Sequence, residues 1–308
     1  MNRNHDDHRA IHVAAAPGVV AAAVPGVYND DRIRTGVSAH GPRSNNPLDD
    51  PARMELTRQE RQWALAVKEA IKQDEDLEPI SDFWCAQLAI KDEGNVAAAL
   101  DRAHHLQGFR QEYGIKETTE SGLHVMTNFV KLLPGFHLAL SYCADTDNYV
   151  GVYDMSKFFS SKLASEPQGV QLWLSSYYHH ANSLNPDFAA CRRGSSLLSE
   201  CEGFDWKINI PSKDMIRLNG EIAGVYPQRH LHMKYFNTGV LFNIMMSMVK
   251  KILPVELRRQ FEFGCQTEVG RLDRVYAVPD LEAATERFLL RHKDSLERRY
   301  ANEASFSL

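Results

Sequence analysis

His230-Leu231-His232-Met233-Lys234-Tyr235-Phe236 is followed by Gly239-Val240-Leu241-Phe242-Asn243-Ile244-Met245-Met246-Ser247-Met248-Val249-Lys250-Lys251-Ile252-Leu253, and then by Gln260-Phe261-Glu262-Phe263-Gly264. The outer two runs are short and rich in apolar and aromatic residues, as strands are. The middle run is long enough for a helix, and Pro254 ends it. Strand, helix, strand in so short a span is a parallel crossover unit.

The same texture extends upstream. Tyr149-Val150-Gly151-Val152-Tyr153 and Ser196-Leu197-Leu198-Ser199-Glu200-Cys201 read as further strands, with helical stretches over about 167–183 and 212–226. The expected fold is therefore α/β, with a mostly parallel sheet flanked by helices. Before it the chain is helical throughout. Between Leu56 and Gln73, Trp63, Val67, Ala70 and Ile71 share one face. Ser81 and Asp82 are placed to cap a second helix. A third spans about 95–113, with Val96, Leu100, Ala103 and Phe109 inward and Gly114 as its stop. After Pro279 a terminal amphipathic helix presents Leu281, Ala284, Phe288, Leu289, Leu296 and Tyr300.

Residues 1–52 are rich in Ala, Gly, Pro, Asn and Asp and lack periodicity, which predicts a disordered leader. The Ala/Val-rich run from Ile11 to Val27 invites comparison with a targeting signal. However, Asp6 and Asp7 offset Arg3 and Arg9, and Pro17, Gly18, Pro25 and Gly26 interrupt it. The expected organisation is a leader over 1–52, a helical region over 53–116, an α/β domain over 117–278, and a terminal helix and tail over 279–308.

Composition narrows the function. Thirty-five Lys and Arg against 40 Asp and Glu give a net charge of −5, which lacks the basic footprint of a nucleic-acid binder. The five cysteines, Cys85, Cys143, Cys191, Cys201 and Cys265, show no CxxC spacing and read as reduced thiols of a cytoplasmic protein. No apolar run approaches the ~20 residues of a membrane span.

On a helical wheel of 239–253, Asn243, Ser247, Lys250 and Lys251 form one narrow polar stripe. An ordinary surface helix buries a stripe of only ~100° or somewhat more; this one needs apolar company on two sides. Deep burial satisfies that need. So does a helix with one flank on the sheet and the other lining an apolar cavity, or one that touches a membrane. Met245, Met246 and Met248 suit a surface that re-packs, and Lys250, Lys251, Arg258 and Arg259 gather at its end, where anionic lipid would attract them.

Tyr226-Pro227-Gln228-Arg229, the strand ending Tyr235-Phe236-Asn237, and then Phe242, Lys250 and Leu253 resemble the CRAL-TRIO lipid-binding domain family, which includes phosphatidylinositol/phosphatidylcholine transfer proteins and retinaldehyde- and tocopherol-binding proteins. The specific match covers 226–264. From 56 to 225 it rests on element order and on Phe109-Arg110. The resemblance implies a CRAL-TRIO fold, in which the sheet floors an apolar lipid pocket and the helix 239–253 is a mobile gate. It places Lys250, Lys251 and Arg258 at a lipid headgroup or membrane. Val240, Leu241, Phe242, Met245, Met246, Val249 and Leu253 become pocket and gate residues. Gln228 stands where the family has Glu, Lys251 where it has Pro, and no acid lies about eight residues before Tyr226. Val278-Pro279-Asp280-Leu281-Glu282-Ala283-Ala284 resembles a worn copy of the family's closing motif.

No Gly-x-Ser-x-Gly, P-loop or Gly-x-Gly-x-x-Gly occurs. His230 and His232 are expected to share a strand face, yet no motif-spaced partner completes a zinc site. The expectation is a non-enzymatic lipid-binding and lipid-transfer protein, cytoplasmic and transiently at membranes. It needs no cofactor beyond its bound lipid and does not bind nucleic acid. The rivals are an interaction scaffold of the same fold, for instance one that serves a small-GTPase regulator, and an enzyme with an unrecognised site.

Overall fold

The computed structural model describes residues 47–209, 217–218, 226–252, 255–268, 270–276, 278 and 280–308. It opens on two 3₁₀ turns, Pro47–Asp49 and Pro51–Met54. Residues 47–52, expected to belong to the leader, are thus part of the packed fold: Leu48 rests on the core and Asp49 pairs with Arg298 at 2.9 Å.

Helix α1 (Arg58–Gln73) starts at a capping box, in which Thr57 and Glu60 bond each other's backbone N–H. Ser81 caps α2 (Asp82–Lys91), whose residues from Phe83 to Ile90 are all buried. A helix apolar on every side belongs in an interior, and α2 is the centre of the helical region. Asn95 caps α3 (Val96–Tyr113), and Gly114 ends it at φ 61°, a left-handed conformation that glycine adopts without strain. Helix α4 (Thr119–Leu132), for which the sequence reading named no element, is capped by Thr118 and buries Gly122, Met126, Phe129 and Val130.

The sheet follows. Strands β1 (His137–Cys143) and β2 (Asn148–Asp154) form an antiparallel hairpin, and β1 is a second element the pattern did not reveal. Next come α5 (Ser160–Ser165), α6 (Gly169–Leu184), α7 (Phe188–Arg193), β3 (Ser195–Glu200) and α8 (Trp206–Asn209). The helix expected over 212–226 lies almost wholly outside the described residues. Strand β4 (His230–Phe236) leads to α9 (Val240–Ile252), α10 (Val255–Gln260), β5 (Phe261–Cys265) and α11 (Leu272–Val275). The terminal helix α12 spans Leu281–Ser305.

The strands lie in the order β1-β2-β3-β4-β5, with β2 to β5 mutually parallel. The sheet is therefore mixed and mostly parallel. Right-handed crossovers that always step the same way put their helices on one face. That arrangement is found for α6, where His180 meets Tyr153 of β2, and for α9, where Phe242 meets Tyr235 of β4. The opposite face packs Val150, Val152, Leu198, Phe236 and Cys265 against Leu272 of α11. The main core joins Trp84 and Leu106 of the helical region to Leu140, Tyr149, Tyr178 and Phe288. The boundary expected at 116/117 consequently runs through one continuous core. On α12, Ala284, Phe288 and Leu296 are buried as expected, whereas Leu281 is 47% exposed.

Candidate functional site

Helix α9 turns one apolar flank inward and leaves the other bare. Phe242 and Met246 are buried with Cys201, among Met155, Phe204, Trp206, Tyr235, Phe261 and Phe263. Val240, Leu241, Ile244 and Met248 are exposed by 79%, 62%, 55% and 57%, so deep burial of the whole helix is ruled out. Val240 and Leu241, expected among the pocket and gate residues, are on the outer flank. Leu253 and the side chains of Met245 and Val249 lie outside the described residues.

Lys250 Nζ donates to the Phe261 carbonyl of β5 at 2.6 Å and lies 5.7 Å from the centre of the Phe263 ring. It ties α9 to the sheet. Lys251 and Arg258 are exposed at the same end, and Arg258 donates to the Lys251 carbonyl at 3.0 Å. Lys251 therefore continues the bare flank, since it falls on the side of Val240, Ile244 and Met248.

A strand inside a parallel sheet is normally buried on both faces, yet in β4 only Phe236 is buried. Register aligns Leu197 with Met233 and Ser199 with Tyr235 on the face that α6 and α9 cover. Leu197, Met233 and Tyr235 remain half-buried there, as do Tyr153 of β2 and Tyr177 of α6. Leu197 and Tyr177 pack on the main core and Tyr235 on the cluster under α9, so this face is partly covered apolar surface. Burial pushes the Tyr177 hydroxyl up to about 12 and raises those of Tyr153 and Tyr235 as well, so all three phenols stay neutral.

The two strand histidines are separated. A register slip at Leu231 pairs His230 with Ser195 and His232 with Ser196, neighbours whose side chains alternate across the sheet. His230 then faces Ser195 Oγ at 3.4 Å, while His232 lies 3.8 Å from Glu262 on the other side. The strand period had suggested a shared face; the bulge breaks that period. Among the described residues no group of three His, Cys, Asp or Glu is placed to hold a metal ion.

At the carboxyl ends of the strands is a polar cleft of about 380 Å³, lined by Glu202, Asn237, Gly270, Arg271 and Arg274. Glu200 is fully buried beside it. Its carboxylate accepts from Asn237 Nδ2 at 3.0 Å to each oxygen, from Leu272 N at 3.0 Å and from Glu202 N at 2.9 Å. Asn237 has a φ of 53°, which asparagine tolerates better than most residues; this accounts for an Asn at the strand end. Arg271 already pairs with Asp154, Glu202 and Asp273. The cleft is thus a knot of strand ends whose main cation is neutralised from within. Sequence reasoning overlooked it, although a carboxylate closing a strand just before Gly203 was the available signal.

No family model and no curated protein sequence matches the chain.

Proposed function

We propose that the chain is a lipid carrier of the CRAL-TRIO type, with α9 as the gate over a lipid-holding trough. The observation that supports this reading is one helix with two apolar flanks, one packed and one bare, over half-buried apolar side chains of a central strand. A lipid chain laid over Leu197 and Met233 gains about 0.8 kcal/mol per buried CH₂. The bare flank of Val240, Leu241, Ile244 and Met248, edged by Lys251, suits a membrane surface during exchange.

The test is lipid extraction and mass spectrometry of the purified protein, alongside a Leu197→Trp/Met233→Trp variant that fills the trough. The expected result is co-purifying lipid in the parent and little in the variant. If both are empty and remain so after incubation with mixed liposomes, the carrier reading fails and a scaffold that uses the bare flank to bind protein replaces it. Separately, Ile244→Asp/Met248→Asp should lower co-sedimentation with anionic vesicles several-fold and leave the melting temperature unchanged.

A further inference from the structure

A knot of hydrogen-bond donors lies between the helical region and the terminal helix. Arg110 of α3 and Arg299 of α12 both rest on the indole of Trp84 in α2, with guanidinium carbons 4.6 and 4.7 Å from its ring centre. Arg299 exposes no surface and is also 4.1 Å from the Phe83 ring. Its Nε donates to Asn182 Oδ1 of α6 at 3.4 Å, and the Tyr226 hydroxyl donates to the same oxygen. Arg110 gives Nε to the Tyr178 hydroxyl at 2.8 Å and Nη1 to Glu117 at 3.0 Å.

Five nitrogens of this knot are buried without a partner among the described residues: Trp84 Nε1, Arg110 Nη2, Asn182 Nδ2, and Nη1 and Nη2 of Arg299. Each can only donate. The hydroxyl of the next residue, Tyr300, is unpaired as well. A buried donor left unpaired is destabilising, and more so when it carries charge. The carboxylate facing Arg299 is that of Glu303, which accepts from Ser81 with one oxygen and holds the other 3.7 Å from Nη2, beyond hydrogen-bond reach. Were Glu303 to close on Nη2, the nitrogens of Trp84, Arg110 and Asn182 would still be unpaired.

The surplus of donors decides what can satisfy them. Water accepts, but it brings two hydrogens of its own into surroundings that mainly donate. An anion accepts from every side, and its bonds to guanidinium are charge-assisted and strong. The five nitrogens show almost no surface to solvent, which suits a single-atom ion better than a phosphate or a carboxylate-bearing molecule. We infer that this knot is a binding site for a small inorganic anion of chloride size, held by donors from α2, α3, α6 and α12. The ion would join the helical region to the terminal helix, and the site is independent of the carrier reading.

The test compares melting temperatures of the full-length protein in sodium chloride and in sodium gluconate at equal ionic strength, gluconate being too bulky to reach these nitrogens. Chloride should raise the melting temperature, by about 5 °C once it reaches a hundredfold its dissociation constant. Crystals grown in bromide should show an anomalous peak within bonding reach of Trp84 Nε1 and the Arg299 guanidinium. Asn182→Asp keeps the oxygen that Tyr226 and Arg299 use and puts a carboxylate oxygen where Nδ2 stands, so the chloride response should disappear. If that variant does not fold, the bromide map of the parent decides. Equal melting temperatures in the two salts, as a cluster of ordered water would give, overturn the inference, and so does a bromide map without the peak. A peak with no effect on stability marks an adventitious ion only and overturns it too. A full chloride response in Asn182→Asp places the ion elsewhere and strikes this site.

Discussion

Arg53 holds the start of the fold in place. Only 6% of its surface is exposed, its Nε and Nη2 donate to Asp187 at 2.8 and 3.2 Å, and its Nη1 reaches Asp147 and Tyr142. Asp187 is itself 1% exposed, so Arg53→Ala strands a buried carboxylate and should lower stability by about 3–5 kcal/mol, read from the denaturant midpoint. Lys250 makes a milder contact: Lys250→Met removes a charged donor from the Phe261 carbonyl at a cost of roughly 1–2 kcal/mol. Because that lysine faces the sheet, the same variant should leave the ratio of anionic to neutral lipid bound unchanged. A loss of anionic lipid alone would return Lys250 to a headgroup role.

Among the elements, the seam where α6, α12 and β1 meet is lined with histidine. His137, His180 and His292 follow one another at ring distances of 4.9 and 6.0 Å, Phe288 stacks on His137 at 4.5 Å, and His179 is adjacent. Tyr153, through its hydroxyl, is the other titratable group against them, and no carboxylate acts on any of the four. Burial lowers His180 to about 3 and His179 to about 4, and it holds His137 and His292 well below the usual imidazole range. The unfolded chain therefore takes up protons below pH ~6.5 that the folded one refuses. Stability is complete above that pH and falls as pH drops through it, by about 1.4 kcal/mol per pH unit for each histidine. Denaturant midpoints at pH 8, 6 and 5 should decline steeply over the last two. His137→Phe, which fits among Phe129, Phe136 and Phe288, should flatten the slope by about a fifth, one histidine's share among these four and His230, which burial also lowers to about 4. A flat profile from pH 8 to 5 would exclude these groups as the cause.

The elements also show what could be read beforehand. Strand β4 falls on the residues expected of it, and β2, β3 and β5 lie within a residue of expectation, because each is a compact apolar run between turn formers. Strand β1 was missed because its register is irregular between His137 and Ala139 and its first residue is a histidine buried among aromatic rings. The two-flanked character of α9 was legible from the wheel. Which flank faces in was not: a wheel has no external reference, and the choice follows from Phe242 seating on Tyr235.

For the whole molecule, the two ends of the described chain close on each other. Phe306 packs between Phe83 and Phe188 at 6.3 and 4.8 Å, Leu308 N donates to Asp82 at 2.8 Å, and Arg298 meets Asp49. Phe306→Ala, which takes a half-buried ring from that junction, should destabilise the fold by about 2–3 kcal/mol, below the 3–5 of a fully buried ring. The shared core predicts that circular dichroism in the far and near ultraviolet reports one common transition for the helical region and β1–β2. Two separated transitions would show that the two parts unfold independently.

The strands also stand in the sheet in the order of their synthesis, and this sets which corner yields first. β5 is the last strand added and an edge, and the buried residues under α9 form a small cluster of their own, Cys201, Phe242 and Met246, apart from the main core. A small separate cluster beside an edge strand is expected to open as a unit, at a lower free energy than the whole fold. Amide hydrogens of α9 and β5 should exchange with deuterium orders of magnitude sooner than those of β2; equal protection would mean that this corner opens only with the whole fold.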